Sequence, residues 1–288
     1  MKRAVILGCE NSHADTFLKF ITGGAAPELE ITGVFSEEAE AAQKLSAAYG
    51  VKALSSFDEA VGSVDGVIVT ARHGANHYKY AKPYIGSVDA MFIDKPVTVG
   101  EDEAVRFMRE LKAAGTRVSG GSCLKYASVI AELAREHAGQ KDGATVGGFL
   151  RAPISLENAY GGFSFYSHHL IEMVLTVFGR RPVSVRAMRS GGSVTVIFRY
   201  DGFDVTSLYV DGSYVYHAER CSEKGVSGGP VEVGSACFRA EFDEFREILL
   251  GGEQKQSYED LIAPVFAMNA ALRSLKSGKE EPLAEYSI

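Results

Sequence analysis

The strongest constraint in this chain is an alternation that runs through Gly121: short apolar runs, each followed by a segment with helical spacing. Residues 4–7, 29–35, 67–70, 91–93 and 117–119 read as buried strands. Between them, residues 11–22, 37–49, 77–85 and 101–114 carry helical periodicity. Gly50 and Gly115 follow the second and fourth of these, where a helix stop is expected, and acidic residues open the second. Repeated strand–helix units predict a parallel sheet covered on both faces, because strands running the same way need long crossovers. A ligand of such a sheet sits beyond the carboxyl ends of its strands, where the strand order reverses.

After Gly121 the rhythm changes. A helix over 127–138 leads to a strand at 144–151, a loop rich in Gly and Tyr, and a helix over 163–178. Four strand candidates follow at 183–187, 193–200, 203–210 and 214–219. Asp201-Gly202 and Asp211-Gly212, set between alternating apolar residues, predict hairpin turns. Residues 222–229 read as a loop, and helices over 238–250 and 258–277 complete the chain. The predicted fold is α/β. A Rossmann-type, doubly wound parallel sheet over residues 1–122 forms a dinucleotide-binding domain. An α+β domain over residues 123–288, with an open and mainly antiparallel sheet, serves substrate binding and oligomerisation.

Composition removes several classes of function. A net charge of −7, with no basic block, disfavours nucleic acid or an anionic membrane as the main partner. No apolar run is long enough to span a bilayer. Lys2-Arg3 precede an apolar run that is too short for a signal peptide and is followed at once by Glu10 and Asp15. The 4 cysteines are far apart and form no C-x-x-C pair, so reduced thiols and a cytoplasmic location are expected.

The first turn carries the chemistry that is hardest to place. In "VILGCENSHAD" (residues 5–15) a strand feeds what should be G-x-G-x-x-G. Gly8 holds the first position, but Glu10 and His13 occupy the second and third. Glu10 puts a carboxylate where backbone should approach a pyrophosphate, and Asn11 and His13 are candidate caps of the first helix. The second strand should end in an acid for the ribose hydroxyls, yet Ser36 stands there, followed by Glu37 and Glu38.

Three segments carry a resemblance. "FIDKPVTVGEDEAVRFMRELKAAGTRVSGG" (92–121), "YGGFSFYSHHLIEMVLTVFG" (160–179), and the tail from "FRAEFDEFREILLGGEQ" through "ALRSLKSGKEEPL" resemble the Gfo/Idh/MocA oxidoreductases in order along the whole chain. The resemblance implies hydride transfer between NAD or NADP and a hydroxyl carbon of a sugar, polyol or derivative. It also implies a homodimer or homotetramer built on the open sheet. The lysine of the family's E-K-P segment falls on Lys95, with Asp94 in place of the usual Glu. The family's H-x-x-acid motif falls on His169 and Glu172, while the position of its catalytic Asp falls on Phe165. Expected roles follow. Lys95 polarises the hydroxyl, His169 takes its proton and Glu172 orients the ring. His168 also shares a helix face with Glu172, so spacing does not choose between the two histidines. Gly8, Glu10, Asn11, Ser12, His13, Ser36, Thr70, Ala71 and Asp94 are expected at the cofactor. Lys125, Tyr166, His168 and His77 are expected at the substrate.

Two other readings stand beside this one. A family member with altered motifs would serve as a ligand-binding protein. Alternatively, the histidines would build a metal site for a redox-neutral lyase or hydrolase, with His13, His73, His77 and His168 as ligand candidates. The tight spacing of a metal motif is missing from the sequence, so no metal is expected.

Overall fold

Ala4, Val5, Ile6 and Leu7 are each fully buried, as only a strand flanked and covered on both faces allows. They form most of β1 (Lys2–Leu7) in the computed structural model, which describes Met1–Ile288. β1 pairs in parallel with β2 (Leu29–Phe35) on one side and β4 (Gly66–Val69) on the other. β3 (Lys52–Ala53), β5 (Ala90–Asp94) and β6 (Arg117–Gly121) complete a parallel sheet of order β3-β2-β1-β4-β5-β6. The order reverses between β1 and β4, so ligands are expected at the carboxyl ends of these two strands. Helices α1 (Ser12–Thr22), α2 (Ala39–Tyr49), α3 (Ala75–Ala81) and α4 (Glu101–Ala114) make the crossovers. Gly50 and Gly115 close α2 and α4 in the left-handed conformation, as their positions predicted. β3, only two residues long and exposed, left no apolar run to read.

Two compact units divide the chain: Met1–Gly121 with Phe238–Leu261 and Ser287–Ile288, and Ser122–Cys237 with Ile262–Tyr286. The change of rhythm after Gly121 marks the first crossing, but sequence reading did not foresee the chain's return to the first unit. The return has a packing cause. Phe242, Phe245, Ile248 and Leu249 form one apolar stripe of α7 (Ser235–Leu249) and are buried in the first unit's core. Phe242 lies 5.3 Å from Phe17 and Phe245 lies 6.4 Å from Phe92, ring centre to ring centre.

The second unit holds α5 (Ser128–Ala138), β7 (Thr145–Ile154), α6 (Phe163–Phe178), β8 (Ser184–Ser190), β9 (Ser193–Tyr200), β10 (Phe203–Asp211), β11 (His217–Ser222), β12 (Gly225–Pro230) and β13 (Glu281–Pro282), with most of α8 (Tyr258–Ser277). Its sheet runs β12-β11-β7-β10-β9-β8-β13, antiparallel except where β7 meets β10. Asp201-Gly202 makes the predicted two-residue hairpin, with Tyr200 opposite Phe203 and Gly202 at φ 86°.

Two expectations fail here. Asp211-Gly212 does not turn a hairpin, because β7 lies between β10 and β11 in the sheet. The segment read as a loop instead forms edge strand β12, paired with β11 from Ser222↔Gly225 to His217↔Pro230. Its low strand propensity reflects close backbone approach. A Cβ on Gly228 would lie 2.1 Å from the Ala218 carbonyl oxygen.

Candidate active site

Gly8 ends the first strand at φ 79°, and a Cβ there would lie 2.3 Å from the Ala71 Cα. Thr70 Oγ1 donates to the Gly8 carbonyl at 3.0 Å, and the Gly8 and Cys9 amides donate to the Phe35 carbonyl at 2.8 and 2.9 Å. The turns after β1, β2 and β4 are therefore locked into one edge. Cys9 is buried, and burial, aided by Glu10, pushes its thiol up to about 12. It is no nucleophile at neutral pH.

Glu10 reaches across this edge. Its Oε2 accepts the Ser36 hydroxyl at 2.7 Å and its Oε1 accepts the Arg72 amide at 3.0 Å. Asn11 takes the N-cap place of α1, but its side chain does not cap; Nδ2 donates to Asp94 Oδ2 at 2.9 Å. The capping expectation for Asn11 fails because its Nδ2 is held by the fully buried Asp94 carboxylate while its Oδ1 accepts the Ser12 hydroxyl at 3.3 Å and no helix amide.

Asp94, at the end of β5, is the hub of the unit's polar interior. Its Oδ1 accepts the Lys95 amide at 2.7 Å, and His13 Nδ1 stands 3.1 Å from Oδ2. The other ring nitrogen of His13 lies 3.4 Å from Glu241, itself buried on α7. Burial alone would raise the Asp94 carboxyl, but the facing His13, then Lys95 and His77, hold it below the usual carboxylate range. His13 occupies the place of the third fingerprint glycine and fills that space with an imidazole between two acids. Lys95 follows directly and is itself buried, at 4% exposure.

The remaining first-unit histidines have separate partners. His77 is fully buried and pairs through Nε2 with the Ala71 carbonyl at 2.7 Å, so it braces the loop after β4 instead of presenting a surface to substrate. His73 Nδ1 accepts the Ala75 amide at the start of α3. Burial lowers the His77 pKa from 6.5, outweighing the pull of Asp94, so the folded chain holds this ring neutral. The unfolded chain binds the extra proton below about pH 6.5, so this group withdraws stability as pH falls through that value. His77→Gln removes the titration. The melting-temperature difference between wild type and variant should shrink between about pH 7.5 and pH 5. Parallel melts that keep a constant difference would contradict this.

In the second unit, helix α6 separates its two histidines. His168 is buried, and His169 is half-buried with Nδ1 2.8 Å from Ser122 Oγ and its ring edge-on to Tyr166 at 5.2 Å. Glu172 does not orient His169. It is fully buried and bonded to Arg180 at 2.5 Å, and its second oxygen has no hydrogen-bond partner. Burial opposes its charge, but Arg180, then Lys125 and His168, keep its pKa below the usual range. Orientation of His169 falls to Ser122, whose Oγ also accepts the Leu124 amide at 3.3 Å. Lys125 is buried in the short turn Cys123–Tyr126, its Nζ 5.2 Å from the Tyr126 ring centre. Tyr160, Phe165, Tyr166 and Tyr214 form a run of ring contacts at 5.1–6.3 Å. Phe165 thus adds to an aromatic surface where an acid was expected.

Residues 2–122 match the family model described as "Oxidoreductase family, NAD-binding Rossmann fold", that of Gfo/Idh/MocA. Over this segment, which is less than half of its length, the chain is similar to the Gfo/Idh/MocA oxidoreductases. No curated protein matches it in sequence. Solved structures match over nearly its full length. Myo-inositol dehydrogenase from Corynebacterium glutamicum is 17% identical with a TM-score of 0.83, covering 99% of this chain and 100% of that one. Scyllo-inositol dehydrogenase from Lactobacillus casei is 12% identical at 0.84, covering 99% of each chain. GenD2 from gentamicin A biosynthesis, solved in complex with NAD, is 16% identical at 0.86, covering 99% and 97%. At these identities the likeness is one of fold.

The dinucleotide that a Gfo/Idh/MocA Rossmann unit implies has a frame to meet. Gly8 keeps the close approach of the turn, and α1 carries no side-chain cap, which leaves its first amides to an anion. Glu10 is drawn to Ser36 and Arg72, so its charge is anchored at the β2 and β4 ends of the edge. The residues fit the group. Sequence reading missed Glu241, Ser122 and Arg180: Glu241 is one acid among many on an amphipathic helix, and Ser122 carries no motif.

Proposed function

We propose that this protein is an NAD-dependent dehydrogenase acting on a secondary hydroxyl of a cyclic polyol or sugar. The observation that carries the reading is Lys95, a buried ammonium at the carboxyl end of β5 whose backbone is bonded to Asp94. The inositol dehydrogenases among the structural neighbours support the substrate class.

Bound nicotinamide supplies the hydride acceptor. Lys95 donates a hydrogen bond to the reacting hydroxyl oxygen and stabilises the charge that grows there. His169 takes the proton. A neutral ring with its hydrogen on Nδ1 donates to Ser122 Oγ and leaves its lone pair on Nε2. Lys125 orients neighbouring hydroxyls, and the rings of Tyr166 and Phe165 cover the apolar face of the substrate. Asn11, Ser12 and Thr70 hold or brace the cofactor turn.

The test follows NADH absorbance while the protein meets inositol isomers, aldoses and their acid derivatives with NAD⁺. Turnover with at least one cyclic polyol or sugar is expected. Dinucleotide binding without turnover across the panel would favour a ligand-binding protein, and the absence of both would sink the dehydrogenase reading.

A further inference from the structure

The end of β2 lacks the acid that a dinucleotide ribose needs, and a carboxylate from the turn after β1 stands beside that place. Ser36 follows the last residue of β2 and is 6% exposed. Its hydroxyl donates to Glu10 Oε2 at 2.7 Å and accepts the Glu38 amide at 3.0 Å. Glu10 Oε1 takes the Arg72 amide at 3.0 Å, so one carboxylate is fixed from two sides by the ends of β2 and β4. Glu10 itself is half-buried, which leaves a face open. We propose that Glu10 replaces the missing β2 acid: it binds the adenosine ribose diol from the second position of the Gly8 turn and selects NAD over NADP.

An ionised carboxylate offers about four acceptor sites, and the structure uses two for Ser36 and Arg72. The two that remain match a vicinal diol, which presents two donors on neighbouring carbons. A 2′-phosphate offers no donor there and brings like charge against Glu10, with Glu37 and Glu38 next in the chain. Lys79, at the neighbouring Glu37, is already paired with that acid at 2.8 Å. Anchoring also answers the spatial objection to an acid in the turn. A free Glu at this place would lie over the approach to the pyrophosphate, whereas this one is drawn toward Ser36, away from the uncapped amides of α1.

This inference rests on the NAD-dependent reading above, and calorimetric titration of the full-length protein with NAD⁺ and NADP⁺ separates the two. Wild type is expected to bind NAD⁺ at least about tenfold more tightly than NADP⁺, the scale of charged hydrogen bonds gained or lost. Glu10→Gln keeps the shape and removes the charge; it should weaken NAD⁺ and narrow the gap. The double variant Glu10→Gly with Ser36→Asp returns the acid to β2 and should restore NAD⁺ binding. Tighter NAD⁺ binding by Glu10→Gly alone would make the carboxylate a plug and overturn the proposal, as would a wild-type preference for NADP⁺. Binding by the double variant but not by wild type would overturn the Glu10 role alone. Binding by neither would take the dehydrogenase reading down as well.

Discussion

Replacing Lys95 with Ala should lower kcat/KM for the productive substrate by about 10²–10⁴-fold while NAD⁺ affinity and the circular dichroism spectrum stay unchanged. The expected loss is large because, in the proposed mechanism, the group acts where charge develops. Lys95 is buried beside the Asp94 carboxylate, so its ammonium is held in a medium where a hydrogen bond to an incipient alkoxide is worth more than in water. A water admitted by the shortened side chain cannot carry that positive charge.

His169→Ala should cost a similar factor and, in addition, remove the limb of the pH–rate profile that reports the base. Ser122→Ala leaves the imidazole in place without its Nδ1 partner, and a smaller loss, on the order of tenfold, is expected with that limb retained. Steady-state kinetics across pH decide the matter. Near-wild-type turnover from Lys95→Ala or His169→Ala would remove that residue from the mechanism.

The parallel sheet was legible because buried central strands need continuous apolar runs and crossover helices need caps, and both leave marks at Ala4–Leu7, Gly50 and Gly115. β12 was not, since an edge strand made of Gly, Ser and Pro is held by backbone pairing that side chains do not announce. The order of the second sheet was equally hidden. Nothing local says that β7 inserts between β10 and β11, which long-range parallel pairing with β10 achieves.

At the site, spacing put His168 and His169 on equal terms, and only burial separated them: the ring beside Ser122 is accessible, the other is interior. Glu172 matched a motif, yet Arg180, eight residues on, takes it. Glu10 read as damage to a fingerprint because its contacts, Ser36 and Arg72, lie 26 and 62 residues away. Helix and strand periodicity reports neighbours a few residues apart, whereas an active site is made of partners that are not.

Asp94 is the position where a substitution should damage the fold itself. Asp94→Ala leaves the Lys95 amide, Asn11 Nδ2 and His13 Nδ1 without their common acceptor. It also leaves the buried His13 ring facing Glu241 at 3.4 Å without the opposing Asp94 carboxylate. Removing one partner of a buried ion pair typically costs about 3–5 kcal/mol, because the survivors stay desolvated. The first unit should therefore melt on the order of 10 °C lower.

The pH dependence gives this effect a signature that a simple cavity would lack. The folded-state pKa of Asp94 lies below its ordinary 3.8, so its ionised form contributes stability above that value and loses it as pH falls through the folded pKa. The gap between wild type and Asp94→Ala should thus be constant near neutrality and narrow below about pH 4. Asp94→Asn keeps one acceptor for the Lys95 amide but sets an NH₂ group or a weaker oxygen against His13 and Asn11, so it should fall between the two. A gap that persists unchanged into acid would show that Asp94 stabilises the unit by shape alone, and the charge hub built on His13 and Glu241 would have to be abandoned.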